Sequence, residues 1–254
     1  MIICKSPDQI KLMADAGRIV FEVLLKIEEI IRPGMKTIEL DLIAEEIIKK
    51  RGAIPAFKGY KGRISQRPYP GSICASINEE VVHGIPGKRV IGEGDLVSID
   101  VGVKLNEYFG DAARSFLVGD AGKNSEKLFK ATKDALDLAV DKARIGNRLS
   151  DISHSIEARA SKDGFSVVRD FVGHGIGTHM HEDPQILNYG PPGKGPVLKQ
   201  GMVFAIEPML NEGSYDVEVL GDMWTVVTKD RKRSCHFEDT VAITKDGPML
   251  LTRY

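Results

Sequence analysis

The chain repeats its own punctuation. Arg32 and Arg144, Gly34 and Gly146, Gly52 and Gly164 are each separated by 112 positions. Helix signals fall into the same frame. Ser6, Pro7 and Gln9 form a capping pattern, and apolar Ile10, Met13, Val20, Leu24 and Ile27 follow at helical spacing up to Pro33 and Gly34. A second helix is expected from Thr37 to Gly52, with Leu40, Ile43, Ala44, Ile47 and Ile48 on one face. Downstream, one helix is expected from Asn124-Ser125 to Ile145-Gly146, and another that stops at Gly164. The strands echo each other too. Gly94 leads through Leu96, Val97 and Ile99 to Asp100, and Gly201 leads through Val203, Phe204 and Ile206 to Glu207, an acid six positions after the glycine in both. The pattern predicts an α/β (α+β) protein of two similar helix-helix-strand halves, roughly 1–120 and 121–254. No linker or low-complexity segment parts them, so a single domain over 1–254 is expected.

The acids in those strands carry the chemistry. Val97 to Val103 alternates as a half-buried strand does, and a turn through Lys104-Leu105-Asn106-Glu107 returns it as Tyr108 to Val118. Pairing Val103 with Tyr108 sets Asp100 directly opposite Asp111. Two carboxylates that close repel by about 3–4 kcal/mol at an effective dielectric near 20. Glu207 and Glu238 repeat the arrangement in the second half. One shared proton cannot neutralise four such acids, whereas cations can. His174, in Gly173-His174-Gly175-Ile176-Gly177, adds a nitrogen donor. Four carboxylates and one imidazole, with no thiolate, favour Mn, Fe or Co, with Zn or Mg as further options.

Composition removes other classes. Lys+Arg 35 against Asp+Glu 36 gives a net charge of -1, without the basic footprint of a specific DNA-binding protein. Cys4, Cys74 and Cys235 are too few and too scattered for a disulfide framework. No apolar run approaches a membrane span or a signal-peptide core, so a cytoplasmic protein without a membrane partner is expected.

Several segments together resemble type I methionine aminopeptidases: Ser98-Ile99-Asp100-Val101-Gly102, Gly110-Asp111-Ala112-Ala113, Gly173 to Gly177, His181-Glu182-Asp183-Pro184, Ala205-Ile206-Glu207-Pro208-Met209 and the strand around Glu238. The resemblance covers nearly the whole chain. It implies the pita-bread creatinase/aminopeptidase fold, with pseudo-symmetric halves around a curved antiparallel sheet, and two divalent metal ions. It implies that Asp100 holds one ion, that His174 and Glu207 hold the other, and that Asp111 and Glu238 bridge them. The implied reaction is attack of a metal-bridging hydroxide on the first peptide bond of a nascent chain or peptide that begins with Met. Glu207 would double as general base, His181 would stabilise the oxyanion and His83 would contact the scissile amide nitrogen. Tyr69, Cys74, Met180 and Trp224 would line the methionine pocket, with Phe57 and Tyr60 nearby. His154, His179 and His236 gain no role. A monomer with transient ribosome contact is expected.

Two departures from the family stand out. Residues 58–69 run about six positions longer than the usual loop and carry Lys58, Lys61, Arg63 and Arg67. They are expected at the site entrance. Asp239 stands where the family usually has His, and strand alternation points it away from the metals, so exchanging it for His should alter metal affinity only modestly. The basic run Lys229 to Arg233 reads as a hairpin tip that could touch ribosomal RNA. Rival readings are an Xaa-Pro aminopeptidase or dipeptidase of the same fold, and a peptide-binding protein without catalysis.

Overall fold

The computed structural model describes residues 1–62 and 67–253. Four long helices carry the frame: α1 (Pro7–Ile30), α2 (Thr37–Lys50), α3 (Gly122–Lys142) and α4 (Leu149–Lys162). α1 starts on the expected box, with Ser6 Oγ accepting the Gln9 N–H at 3.3 Å and Gln9 Oε1 accepting the Ser6 N–H at 2.8 Å. α2 and α4 begin and end 112 positions apart, as do the short strands Ile54–Pro55 and Ser166–Val167. Their starts use the same chemistry. Glu39 and Asp151 reach back to the N–H groups of Lys36 and Arg148 at 2.6 and 2.8 Å, so a carboxylate satisfies each helix end. Gly34 and Gly146 turn the chain at φ +89° and +92°, a conformation that glycine adopts without steric cost. α3 departs from expectation at both ends. It starts at Gly122 and stops at Lys142, because the backbone turns at Ala143 and lets the Gly146 N–H reach the Leu198 carbonyl at 3.2 Å.

The strands form two central antiparallel sheets. In the first, Tyr108–Val118 pairs along the whole of Asp95–Leu105 as a hairpin, while Cys74–Ile77 and Ile54–Pro55 pair with successive stretches of its other edge. In the second, the order is Gly247–Leu250, Asp239–Thr244, Val203–Ile206, Gly173–Gly175, Glu182–Ile186. Strand alternation decides which side chains see helices. Val97, Ile99, Val101 and Val103 join the core under α1 and α2, while Phe204, Ile206, Val241 and Ile243 join the core under α3 and α4. The intervening positions, including Asp100, face away from those helices.

The hairpin register differs from the expected one. Leu105 pairs with Tyr108, so Gly102 lies opposite Asp111 and Asp100 opposite Ala113. The turn holds two residues rather than four, because Asn106 and Glu107 both take positive φ, +49° and +67°. A shift of two keeps side-chain parity, so Asp100 and Asp111 still share a face, now as a diagonal pair. The position opposite Asp111 is glycine for a reason. A Cβ on Gly102 would stand 2.6 Å from Met180 Cε and 2.7 Å from Phe57 Cε1.

The two sheets meet where these acids lie. The N–H of Glu238 donates to the Ala113 carbonyl at 3.0 Å, and Thr240 Oγ1 donates to the Asp111 carbonyl at 2.8 Å. Among the described residues no helix is long and apolar enough to cross a membrane.

Candidate metal centre and peptide cleft

All five expected ligands line one cleft of about 1000 Å³. Asp100 and Asp111 come from the hairpin, His174 from Gly173–Gly175, Glu207 from the residue after Val203–Ile206, and Glu238 from the residue before Asp239–Thr244. The pairing of Asp239 with Ile206 brings Glu238 and Glu207 together at adjoining strand ends. Ligand atoms of Asp111, His174 and Glu238 lie within 4.8 Å of one another. Asp100 and Glu207 flank that trio, with His174 Nε2 3.6 Å from Glu207 Oε1.

The glycines around His174 are required by close approaches. A Cβ at Gly173 would stand 2.5 Å from the Ala205 carbonyl oxygen, and one at Gly175 would stand 2.1 Å from that of Asp183. The imidazole is also oriented. Its Nδ1 lies 2.9 Å from the Gly175 carbonyl, which can only accept, so the proton is on Nδ1 and the Nε2 lone pair faces the carboxylates. Burial, reinforced by His181, holds the His174 pKa down at about 3, so the ring is neutral at pH 7.

The carboxylates have the opposite shift. Burial raises Asp100 to about 7, against hydrogen bonds from Asp111 and Cys74. Burial raises Asp111 further, with the charges of Glu238 and Asp100 adding to it. Burial likewise raises Glu207 and Glu238. Asp100 Oδ1, Asp111 Oδ1 and Glu238 Oε1 are buried without a hydrogen-bond partner among the described residues. Buried polar atoms are nearly always satisfied, and orphaned oxygens converging with a neutral imidazole nitrogen fit a divalent cation. Metal loading must displace protons from these carboxyls. Raised pKa values mean that the metal-free form keeps protons up to about pH 7 or above, so apparent affinity should climb as pH rises. Calorimetric titration with Mn at pH 7 in two buffers of different ionisation enthalpy should show heats that differ by the released protons. Identical heats would contradict the assignment.

The remaining expected residues also line the cleft. Tyr69, Cys74 and Trp224 pack as one cluster with Phe57 alongside. Tyr69 meets Trp224 edge-on at 5.2 Å and is pinned by its hydroxyl, which donates to the carbonyls of Gly84 and Ile73 at 2.8 and 3.1 Å. Met180 packs across from it, beside Phe57. His83 meets Phe171 and Trp224 edge-on, and burial lowers its pKa to about 4. His181 lies with its ring 4.4 Å from that of His174.

Other residues sort themselves by position. His154 sits exposed on α4, near the Gly190 carbonyl, and His179 is exposed outside the cleft lining. His236 is different. It is 2% exposed, its Nε2 has no partner among the described residues, and that atom lies 3.8 Å from Glu207 Oε2. Burial, with His83 and Arg114 adding, holds its pKa near 3. Asp239 points away from the cleft, fully buried between Arg114, Arg253 and Thr252.

The longer loop leaves Phe57 and Tyr60 at the cleft. Gly59 and Tyr60 are tied to Tyr69 by two backbone bonds of 2.8 Å, which close the neck of the insertion. Lys58 pairs with Glu45 at 2.8 Å, Lys61 is exposed, and the Arg67 carbonyl accepts the Trp224 indole N–H at 3.1 Å. Arg63 lies outside the described residues. In the basic run, Arg233 is turned inward onto the carbonyls of Ala121 and Gly94, and Arg231 pairs with Glu218.

Known proteins are similar to this chain in sequence and fold. The model of metallopeptidase family M24 matches residues 11–245. Methionine aminopeptidase 1 of Bacillus subtilis is 53% identical over 253 residues, covering 100% of both chains. A methionine aminopeptidase of Clostridium acetobutylicum is 53% identical over 99% of each chain. The crystal structure of a Thermotoga maritima methionine aminopeptidase has a TM-score of 0.96 at 44% identity, covering 100% of both chains. A Pyrococcus furiosus prolidase has a TM-score of 0.76 at 25% identity, over 99% of this chain and 66% of its own. These neighbours share the pita-bread fold expected from the sequence. The chain belongs to metallopeptidase family M24, among its methionine aminopeptidases.

Proposed function

We propose that this protein removes the N-terminal methionine from nascent polypeptides and peptides, and that it works with two divalent ions, Mn, Fe or Co before Zn or Mg. One observation supports it above the others: five convergent ligands line the same cleft as an apolar cluster of Tyr69, Cys74 and Trp224. Bound metal supplies Lewis-acid polarisation of a carbonyl and lowers the pKa of water. Asp100, Asp111, His174, Glu207 and Glu238 would hold it.

The protein's own groups do the rest. Glu207, in a desolvated site that raises its proton affinity, takes a proton on a carboxylate oxygen from the attacking water and returns it to the departing amine. His181 faces the carbonyl oxygen and steadies the negative charge that develops there. His83, neutral at pH 7, meets the scissile amide nitrogen. Tyr69, Cys74, Trp224 and Met180 enclose the methionine side chain. A methylene in such a pocket is worth only about 1–3 kcal/mol, so larger side chains are rejected by shape.

The chain acts as one domain whose halves, roughly 1–120 and 121–254, repeat each other. The matched spans of α2 and α4 support that reading. It works in the cytoplasm as a monomer, and the basic loop at 58–69 meets the ribosome or a nascent chain in passing. Hydrolysis of Met-Ala-Ser against Ala-Pro peptides is the direct test of substrate. Release of methionine from the first with Ala-Pro untouched is expected. Preferential cleavage of Ala-Pro would replace this reading with the Xaa-Pro peptidase of the same fold.

A further inference from the structure

His181 can steady an oxyanion only if the ring nitrogen facing the substrate carries a hydrogen. A neutral imidazole has one N–H and one lone pair, and the partner of one nitrogen decides the state of the other. Tyr60 Oη lies 2.9 Å from His181 Nδ1, and the two rings pack tilted with centroids 5.5 Å apart. With the phenol donating, Nδ1 holds the lone pair and Nε2 holds the hydrogen. In the reverse arrangement Nε2 would present a lone pair to a developing negative charge.

Tyr60 is well placed for this task despite sitting beside the lengthened segment. Its N–H donates to the Phe57 carbonyl at 2.9 Å, and its own carbonyl accepts the Tyr69 N–H at 2.8 Å. Tyr69 is itself 3% exposed and anchored through its hydroxyl to Gly84 and Ile73. The phenol is therefore held from the closed neck of the insertion, not from its far end. Water bonds Nδ1 as donor or acceptor alike, and the phenol oxygen can accept too, but a phenol is the better donor and the poorer acceptor, so it favours the lone pair on Nδ1.

We propose that Tyr60 is a positioning residue, whose phenol donates to His181 Nδ1 and fixes the tautomer with the hydrogen on Nε2, aimed at the substrate's carbonyl oxygen. This rests on His181 acting at that oxygen. The test is a double-mutant cycle with Tyr60→Phe and His181→Ala on the metal-loaded enzyme, cleaving Met-Ala-Ser. Tyr60→Phe keeps the ring and removes only the hydroxyl. Its kcat should fall about tenfold, as loss of a partner behind a functional histidine commonly does, while KM and metal affinity hold. In the His181→Ala background the same substitution should change nothing further. The zinc-loaded enzyme, which is diamagnetic, should show ¹⁵N imidazole shifts for His181 of the Nε2–H form in the wild type and of a tautomer average in Tyr60→Phe. Unchanged kcat in Tyr60→Phe, an equal loss in both backgrounds, or an Nδ1–H pattern in the wild type would each overturn the assignment to Tyr60. Near wild-type activity of His181→Ala would overturn the oxyanion role as well, which separates the two failures.

Discussion

Asp111→Asn should yield a folded protein that has lost roughly a thousandfold or more in peptide cleavage, the several kcal/mol of charge stabilisation that metal chemistry supplies. Asp111 is the shared carboxylate in this account. It lies 4% exposed on the hairpin strand, within ligand distance of both His174 and Glu238. An amide keeps the shape but loses the charge, so the proposed bridge between the two ions would be lost. The effect on the metal-free protein should run the other way. Burial and the nearby acids raise Asp111, so the metal-free form keeps its proton at neutral pH and an amide removes no charge there, while at higher pH the amide relieves repulsion from Asp100 and Glu238. Its metal-free melting temperature should therefore equal or exceed that of the wild type. Near wild-type kcat in the variant would count heavily against the bridging role, and a collapsed fold would show that Asp111 serves the structure instead.

Asp239→Ala should produce the converse pattern, a large loss of stability with little change in metal affinity. Asp239 is fully buried and joins three partners: Arg114 at 2.6 Å, Arg253 at 2.6 Å and Thr252 at 2.8 Å. Arg114 also donates to the Glu238 carbonyl at 2.5 Å, and Arg253 to Asp137 at 2.6 Å. Removing the acid leaves the part-buried Arg114 without an ionic partner and Arg253 with Asp137 alone, and breaking a buried pair costs about 3 kcal/mol. At this chain length that lowers the melting temperature by roughly 6–12 °C. Asp239→His should also destabilise, since imidazole cannot serve both arginines. Thermal unfolding of the metal-free variants reads the first effect and metal titration the second. A variant that melts with the wild type, or that loses metal while still folded, would contradict the separation between this ionic network and the ligands.

The helices and the acids that line the cleft were legible because both are written in local pattern. Ser6, Pro7 and Gln9 announce α1, and the 112-position repeat places α2 and α4 in one frame. Asp100, Asp111, Glu207 and Glu238 stand out because acids are costly in apolar strands. The hairpin register was not legible. It turns on Glu107 adopting positive φ, which its side chain does not favour, so a longer turn was the natural reading. The partners of Asp239 were hidden for a different cause: Arg114 is 125 positions away, and only the meeting of the two sheets joins them. The place of His236 was hidden because only the fold sets it beside Glu207. Tyr60 belongs with it. Its place near the pocket was expected, while its bond to His181 depends on how the neck of the longer loop closes.

The central claim is that convergent ligands make this chain a two-metal enzyme acting on N-terminal methionine. Its most direct test is cleavage of Met-Ala-Ser by metal-free protein titrated with one metal at a time, with bound metal counted at each point. The account predicts that activity appears with Mn, Fe or Co, that occupancy rises to two ions per chain, and that methionine is the only residue released. No metal bound, and no cleavage after adding Mn or Co, would contradict it.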